Sequence, residues 1–338
     1  MTERRSGSPL AVTMGEPAGI GGDISLKAWR RRTELERPFF VIDDPDRLRS
    51  LSARMNIDVP VAEIAEPEEA ASAFGEALPV LRQSIDAPVV PGKLDAANAP
   101  AVIAAIDRAV ALAIDGRVAA IVTNPIHKKC LYQAGFDHPG HTEYLAALAG
   151  GGARSVMMLA CPGLRVVPVT IHMALGDAIA ALDADDIVRC GAVTDHALRR
   201  DFAIAAPRIA VAGLNPHAGE DGSIGREEID IIAPAVARLA QTGVDVSGPT
   251  PADSLFHERA RASYDAVLCM YHDQALIPLK TIDFDRGVNI TLGLPFVRTS
   301  PDHGTALDIA GSGTAREDSL LAALATAAEI ARNRRNDG

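Results

Sequence analysis

Short apolar runs alternate along the chain with longer segments in which apolar residues recur every three or four positions. The runs LAVTM (10–14) and PFFVIDD (38–44) predict buried strands, and ISLKAWRRR, which follows a glycine-rich turn, predicts a helix. Another helix is expected to start at Asn98 as its capping residue, with Pro100 in the first turn, and to continue to about Asp115. Strands that alternate with helices in this way predict an α/β fold with mostly parallel sheets and helices on both faces.

The alternation continues through the second half of the chain. The runs SVMMLA and RVVPVTIH predict a hairpin, and RIAVAGLNPH (208–217) and DAVLCMYH (265–272) predict two further strands. The apolar segment 288–300 predicts one long strand, and a helix is expected around Gly304. The segment 59–92 contains five prolines and is expected to be irregular.

Composition narrows the class of protein. Of the 338 residues, 48% are hydrophobic and 23% are charged, which is typical of a globular protein. The net charge of −11 argues against a nucleic-acid-binding protein, which would need a basic face. Four widely spaced cysteines without a CxxC motif predict buried free thiols, which suits the reducing cytoplasm. We find no signal-peptide run and no apolar run of membrane-spanning length, so a membrane partner is not expected.

Three of the predicted strands end in a histidine, at His172, His217 and His272. Because ligands of open parallel sheets bind beyond the carboxyl ends of the strands, these imidazoles can converge. Three neutral imidazoles leave an open coordination position, as a catalytic divalent metal requires. Asn215 and Asp273 are candidates for orienting the rings. The spacing of the histidines matches no local zinc motif, so three separate structural histidines are the alternative interpretation.

Further polar residues lie at the same predicted level of the fold. His141 and Thr142 start a predicted helix whose first N–H groups could face an anion. Lys280, Asn289 and Arg298 follow the third histidine at intervals. A lysine, an amide and an arginine near strand ends are the groups that bind an acidic, phosphorylated substrate. Ordinary solvation at the surface is the alternative for the two cations.

Five long motifs occur in order along the chain. They are GEPAGIG (15–21), HPGHTEY (138–144), GLNPHAGEDGSIGREEID (213–230), YDAVLCMYHDQALIPLK (264–280) and RGVNITLGLPFVRTSPDHGTALDIAG (286–311). Together they closely resemble the 4-hydroxythreonine-4-phosphate dehydrogenases, a family of pyridoxal phosphate biosynthesis, from about Leu10 to Ala328. The chain departs from the family at Gly22, where a proline often stands, and at His127, which we expect not to be a metal ligand.

The resemblance implies the architecture and the metal. Subunits of the family have two α/β/α domains with mostly parallel sheets, similar to isocitrate and isopropylmalate dehydrogenases, and form a homodimer with a shared active site in the cleft between the domains. One divalent ion (Zn, Mg, Co or Mn) is then expected at His172, His217 and His272, from one subunit or from two. We expect a cofactor-side domain at 1–124 plus 285–338, and a metal, substrate and dimerisation domain at 125–284.

The resemblance also implies the reaction. The substrate contacts of the family match His141, Thr142, Lys280, Asn289 and Arg298. The expected substrate is a small phosphorylated hydroxy-amino acid, 4-phosphooxy-L-threonine. NAD(P) would oxidise its secondary hydroxyl to give a β-keto acid, and loss of CO2 would then yield 3-amino-2-oxopropyl phosphate. Lys280 and Asp273 are both candidates for the catalytic proton transfers.

The segment DHGTALDIAG (302–311) resembles the adenosine-binding segment of isocitrate and isopropylmalate dehydrogenases. The resemblance implies cofactor contacts at His303, Gly304, Asp308 and Ile309. The chain lacks GxGxxG, so a Rossmann-type site is not expected. A carboxylate at Asp308 would accept a hydrogen bond from the ribose 2′-hydroxyl and repel a 2′-phosphate, which predicts NAD rather than NADP. A solvated surface acid is the alternative for Asp308.

Three other functions are weighed against this one. A sister dehydrogenase that acts on D-threonate or D-erythronate 4-phosphate would share the metal, the cofactor and the phosphate contacts. A phosphate acyltransferase on a related scaffold needs no metal, so the three histidines argue against it. A non-catalytic metal-binding protein would not need the substrate-binding positions that the chain retains.

Overall fold

The computed structural model of the protein describes residues 7–138, 140–150 and 155–336. Pro139 of the HPGHTEY motif and the N-terminal residues 1–6 lie outside the described residues. The chain divides into two compact units. The first runs up to Ser155 and includes Leu294–Arg332, and the second comprises Val156–Gly293 and the residues from Asn333 onward. Each unit contains a sheet with helices packed on it, so the predicted α/β class is confirmed.

The first unit contains six strands, numbered here along the whole chain: β1 (Leu10–Thr13), β2 (Phe39–Asp43), β3 (Val61–Ile64), β4 (Leu78–Arg82), β5 (Ala120–Thr123) and β12 (Arg298–Pro301). They are all parallel and lie in the order β3-β4-β2-β1-β5-β12. The helices that belong to this unit or begin in it are α1 (Gly21–Arg30), α2 (Pro45–Arg54), α3 (Ala70–Ala73), α4 (Ala99–Ile114), α5 (Lys128–Gln133), α6 (His141–Ala149) and α12 (Asp318–Asn336).

The core of the first unit lies between its sheet and α4. Strand β1 is buried at every position, as expected for a parallel strand covered on both faces. Ala11 and Ile121 pack in one apolar cluster with Val102 and Ile106 of α4. By length and composition, the segment Ala96–Ile114 could cross a membrane, contrary to the expectation that no apolar run is long enough. Half of that segment is buried inside the protein, as is typical of a core helix.

The second unit contains β6 (Val156–Cys161), β7 (Leu164–Pro168), β8 (Arg208–Ala212), β9 (Asp245–Thr250), β10 (Ala266–Cys269) and β11 (Val288–Leu292). The order is β11-β6-β7-β10-β8-β9. The predicted hairpin is confirmed, since β6 pairs antiparallel with β7 and with β11, and the remaining pairs are parallel. The helices are α7 (Leu175–Ala180), α8 (Ala184–Arg200), α9 (Ala233–Gln241), α10 (Glu258–Arg261) and α11 (His272–Ile282).

Helix α11 covers one face of the second sheet. Its residues Ala275 and Leu279 are fully buried against Val166, Val267 and Cys269. Because side chains alternate along a strand, the neighbours of these strand residues face the other side, where α8 packs on β8 and β10. All four cysteines of the chain are buried free thiols, as predicted.

Four local predictions are wrong. The single strand expected at 288–300 is two strands, because Gly293 adopts a φ of 80° and turns the chain between them. The segment 59–92 contains β3 and β4, since buried apolar residues such as Val80 outweigh the prolines. The helix expected around Gly304 is only one 3₁₀ turn, Leu307–Ile309. Asn98 does not cap α4 with its side chain, because its Oδ1 accepts the backbone N–H of Ala87 at 2.9 Å.

Candidate active site

The three strand-end histidines all belong to the second unit. Its parallel strands β7, β8 and β10 end at Pro168, Ala212 and Cys269, so the histidines lie in the loops and the helix start beyond the carboxyl ends. This is the edge at which parallel sheets bind their ligands.

His172 and His272 approach each other directly. Their ring centroids are 5.9 Å apart and the rings are inclined by 43°. The Nδ1 atom of His272 lies 2.7 Å from Oδ1 of Asp273, so the carboxylate favours a proton on Nδ1 and leaves Nε2 as a ligand atom. Imidazole nitrogens are among the ligands that divalent transition metals accept.

A cavity of about 440 Å³ opens beside the two rings. Its walls include Thr170, His172, Leu175, Tyr271 and His272. Apolar walls with a few polar groups are typical of a small-molecule site.

His217 lies in an unusual left-handed turn. Five consecutive residues, 217–221, have φ between 41° and 79°, and only Gly219 among them is a glycine. Left-handed conformations are unfavourable for residues with a Cβ atom and persist only where the surroundings enforce them. Such strain is concentrated at functional sites, which fits a role for His217.

The buried carboxylate of Glu228 holds this turn in place. Its Oε1 accepts hydrogen bonds from the backbone N–H groups of Leu214 and Asn215, each at 2.7 Å. Its Oε2 accepts a hydrogen bond from Nδ2 of Asn215 at 2.9 Å. Glu228 is only 3% exposed. A methyl group at Gly219 would lie 2.6 Å from Oε2 of Glu228, so the turn packs directly on the carboxylate.

A second buried side chain joins the loops that carry the histidines. Gln274 accepts the backbone N–H of Met270 at 2.6 Å and donates to the carbonyl oxygen of Gly213 at 2.7 Å. The hydroxyl of Thr170 donates to the carbonyl oxygen of Met270 at 2.8 Å. The ends of β7, β8 and β10 are therefore tied together by side-chain hydrogen bonds.

Within the described residues of this one chain, no group of three or more His, Cys, Asp or Glu side chains is close enough to hold a metal ion. The structure therefore brings His172 and His272 together but does not bring His217 into a complete ligand set with them.

Lys280 and Asn289 also belong to the second unit. Lys280 lies in the last turn of α11, and its Nζ is 5.3 Å from the centre of the Phe284 ring. Asn289 lies on β11, where its Nδ2 is 3.3 Å from Sδ of Met157. The Oδ1 of Asn289 is buried and has no hydrogen-bond partner in the described part of the chain, so it is available to a ligand.

His141, Thr142 and Arg298 belong to the first unit. His141 and Thr142 are the first two residues of α6, as predicted. Arg298, at the start of β12, is 3% exposed and donates to the hydroxyl of Thr123 from Nη2 at 2.6 Å and from Nε at 3.2 Å. Burial lowers the pKa of Arg298 to about 10, against a smaller opposing effect of Glu143, so the guanidinium is charged at neutral pH.

The imidazole of His141 is neutral at pH 7. Burial, the nearby charge of Arg298 and that of Lys128 all hold its pKa well below the usual value for histidine. Its Nε2 is buried and has no hydrogen-bond partner among the residues that the structure describes. An anion could bind beside the buried cation of Arg298, and the neutral ring of His141 could form one hydrogen bond with it.

The segment predicted to bind the cofactor packs on the N-terminal glycine turn of the same unit. The backbone N–H of Gly311 donates to Oδ1 of Asp23 at 2.7 Å, and that of Ile20 donates to the carbonyl oxygen of Thr305 at 3.0 Å. Asp308 is exposed on the 3₁₀ turn.

The remaining predicted cofactor residues are placed around this turn. Ile309 shares the turn with Asp308. His303 has its Nδ1 3.0 Å from the carbonyl oxygen of Gly304.

Sequence reasoning did not single out Gln274, Glu228 or Thr170. Each of these side chains forms hydrogen bonds with the backbone of other residues. The sequence of a polar motif does not show which of its amides, carboxylates or hydroxyls form such bonds. The one indication that Gln274 is buried is its place in HDQAL, where the apolar residues of a helix follow it directly.

Comparisons with known proteins give one consistent result. Residues 34–327 match the family model described as pyridoxal phosphate biosynthetic protein PdxA. The chain is 56% identical over 331 residues to a 4-hydroxythreonine-4-phosphate dehydrogenase of Caulobacter vibrioides, covering 96% of this chain and 98% of that protein. It is 53% identical to the protein of the same name from Bradyrhizobium diazoefficiens, covering 96% and 97%.

A solved structure agrees with the sequence comparisons. The crystal structure of 4-hydroxythreonine-4-phosphate dehydrogenase from Klebsiella pneumoniae superimposes with a TM-score of 0.87 at 40% identity, covering 97% of this chain and 99% of that one. The similarity extends over both units, so the fold and the family are assigned over nearly the whole chain.

Proposed function

The chain belongs to the PdxA family of pyridoxal phosphate biosynthetic proteins, and we propose that it is a 4-hydroxythreonine-4-phosphate dehydrogenase. In this proposal, NAD oxidises the secondary hydroxyl of 4-phosphooxy-L-threonine to a ketone, and the resulting β-keto acid loses CO2 to give 3-amino-2-oxopropyl phosphate. The observation that carries the proposal is the 56% identity, over 96% of the chain, to a protein of that name.

The substrate residues are proposed as the sequence predicts them. In the first unit, the buried guanidinium of Arg298 and the N–H groups at the start of α6 offer a fixed positive environment for an anionic group of the substrate. His141 and Thr142 stand at that helix start. In the second unit, the buried Oδ1 of Asn289 can accept a hydrogen bond from the substrate, and Lys280 supplies an amine nitrogen for the proton transfers.

We propose NAD as the preferred cofactor, contacted by His303, Gly304, Asp308 and Ile309. The exposed carboxylate of Asp308 supports this preference, because it can accept from a ribose 2′-hydroxyl and would repel a 2′-phosphate. Comparing kcat/KM for NAD and NADP in the wild type and in Asp308→Ala tests it. The wild type should prefer NAD and the variant should lose most of that preference, whereas a wild-type preference for NADP would refute the assignment.

We propose that His172, His217 and His272 hold one divalent ion (Zn, Mg, Co or Mn). The approach of His172 to His272 and the carboxylate on His272 support it. Because the described residues of one chain do not gather three ligands, we propose that a homodimer completes the site with a histidine of the second subunit. The ion would supply Lewis-acid polarisation of the substrate hydroxyl and of the ketone that replaces it.

The protein groups then have separate roles in the proton transfers. Asp273 is engaged with Nδ1 of His272, so its role is to fix the tautomer and the direction of that ring. This leaves Nζ of Lys280 as the group that takes the proton of the hydroxyl and returns one to carbon after CO2 has left. Lys280→Met should abolish turnover, and Asp273→Asn should chiefly weaken metal binding.

The proposal is tested by NADH formation across phosphorylated hydroxy acids, with and without EDTA. 4-Phosphooxy-L-threonine should be oxidised, and EDTA should abolish the reaction until a divalent metal is restored. Exclusive oxidation of D-threonate or D-erythronate 4-phosphate would favour the sister dehydrogenase. His217→Ala should lose both turnover and metal binding while it remains folded; retained activity would contradict the triad.

Three further proposals rest on the same resemblance. Residues 1–124 and 285–338 form the cofactor side of the protein, and 125–284 the metal, substrate and dimerisation side. The protein acts in the cytoplasm. Its partners are the small phosphorylated substrate and a second copy of itself, and neither nucleic acid nor a membrane.

A further inference from the structure

Lys128, the first residue of α5, lies beside the predicted substrate residues of the first unit without belonging to them. We propose that Lys128 is a further substrate-binding residue, which contacts the phosphate monoester of the substrate together with Arg298 and the first turn of α6. This inference rests on the proposed function, because it assigns a contact within the substrate site of that reaction.

The side chain of Lys128 lies next to the start of α6. Gly140, the residue before that helix, has extended backbone, and a methyl group built on it would lie 3.6 Å from both Cε and Nζ of Lys128. His141 and Thr142 follow Gly140 directly. The lysine ammonium therefore lies at the end of α6 where the N–H groups of the first turn have no helical acceptor.

The charges of Lys128 and Arg298 act on the same small region. Both cations contribute to the lowered pKa of His141, so both positive fields reach its imidazole. One carboxylate, that of Glu143, lies nearby, with its Oε2 3.2 Å from the same methyl position on Gly140. Two cations and one carboxylate leave a net positive charge before any substrate binds.

A phosphate monoester fits these groups better than a carboxylate does. It carries close to two negative charges at pH 7 and presents three acceptor oxygens. Arg298 offers the charge of a buried guanidinium, Lys128 a flexible ammonium, and the start of α6 its backbone N–H groups. A carboxylate, with one charge and two oxygens, would leave part of this set unused.

Nothing in the fold requires a lysine at this position. The side chain of Lys128 is exposed, and it forms no ion pair with any residue that the structure describes. Its neighbour Lys129 is equally exposed on the first turn of the same helix. Lys129 differs in that it does not act on His141, so it provides a matched control for loss of charge.

The experiment compares Lys128→Gln, Lys128→Arg and Lys129→Gln with the wild type. The measurements are KM for 4-phosphooxy-L-threonine, KM for NAD and the inhibition constant of inorganic phosphate. Lys128→Gln should raise the substrate KM and the phosphate inhibition constant about 10-fold, as the loss of one charged hydrogen bond does. KM for NAD should stay within about twofold, Lys128→Arg should recover most of the affinity, and Lys129→Gln should match the wild type.

The other outcomes test this inference separately from the proposed function. If the wild type oxidises the substrate but Lys128→Gln has the same substrate KM and phosphate inhibition constant as Lys129→Gln, Lys128 does not contact the phosphate. The proposed function would then still stand. If Lys128→Gln weakened the binding of NAD as much as that of the substrate, the substitution would have disturbed the site in general, and a phosphate contact would not be supported. If the wild type oxidises no phosphorylated hydroxy acid, the proposed function fails, and calorimetry with inorganic phosphate on the same variants still decides whether Lys128 binds the anion.

Discussion

The side-chain Nε2–H of Gln274 donates a 2.7 Å hydrogen bond to the carbonyl oxygen of Gly213. The same buried amide accepts the backbone N–H of Met270. One side chain therefore connects the loop that leads to His217 with the helix that begins at His272. The backbone at Gly213 and the backbone at Met270 are therefore held at a fixed separation by this amide.

Gln274→Met should weaken Zn²⁺ binding about 10-fold, because groups that position metal ligands affect affinity by this amount or more. It should also lower the free energy of unfolding by about 1–3 kcal/mol, since two buried backbone groups lose their partners. Calorimetric metal titration and denaturant unfolding measure the two effects. Asn124→Leu is the control, because it removes a buried amide from the first unit. Equal metal affinity in both variants would contradict the positioning role.

Gly219→Ala should destabilise the left-handed turn next to His217. Gly219 has a φ of 79°, and its new methyl group would lie 2.6 Å from the carboxylate of Glu228. Gly243→Ala is the matched control, since Gly243 has a φ of 88° and nothing within 4 Å of the added methyl group. The control should lose about 1 kcal/mol for its backbone conformation alone. Gly219→Ala should lose clearly more and also bind metal more weakly; identical unfolding curves would show that the turn is not held by Glu228.

Arg298→Met should separate stability from substrate binding. Burial lowers the pKa of Arg298, which means that folding disfavours its charged form, so a neutral side chain of similar length should keep or raise Tm. The substrate KM should rise much more than the KM for NAD. Arg208→Met, which removes an exposed arginine paired with Asp265, should leave both constants unchanged. A large loss of Tm with unchanged KM would make Arg298 a structural residue only.

His141 should make the protein less stable in mild acid. Its pKa in the folded state lies well below the unfolded value, so below about pH 6.5 the unfolded chain binds more protons than the folded one. The stability it contributes is therefore present above that pH and is lost as pH falls, by up to about 1.4 kcal/mol per pH unit. Denaturant unfolding of the wild type and of His141→Asn from about pH 8 to pH 5 measures this. A wild-type advantage that does not shrink in acid would contradict the neutral, buried ring.

The apolar pattern predicted the elements that carry most of the site. The runs at β1, β2 and β10 are buried on both faces, so their composition alone identifies them. The pattern also placed the three histidines beyond strand ends, without deciding whether those strands share one sheet, and it placed His141 at a helix start.

The details that hold the site could not be predicted. A left-handed turn at His217 without glycine at every position depends on Glu228, which lies eleven residues further along the chain. The break after β11 depends on the φ of Gly293, in a segment whose apolar residues favour one continuous strand. Both are tertiary effects that local propensity does not encode.

The central claim is tested most directly by measuring NADH and CO2 together during a single reaction with 4-phosphooxy-L-threonine. The account predicts one CO2 released for each NADH formed, with both lost after EDTA treatment and in His217→Ala. Formation of NADH without release of CO2, or no reduction of NAD by this substrate with any of the divalent metals supplied, would contradict it.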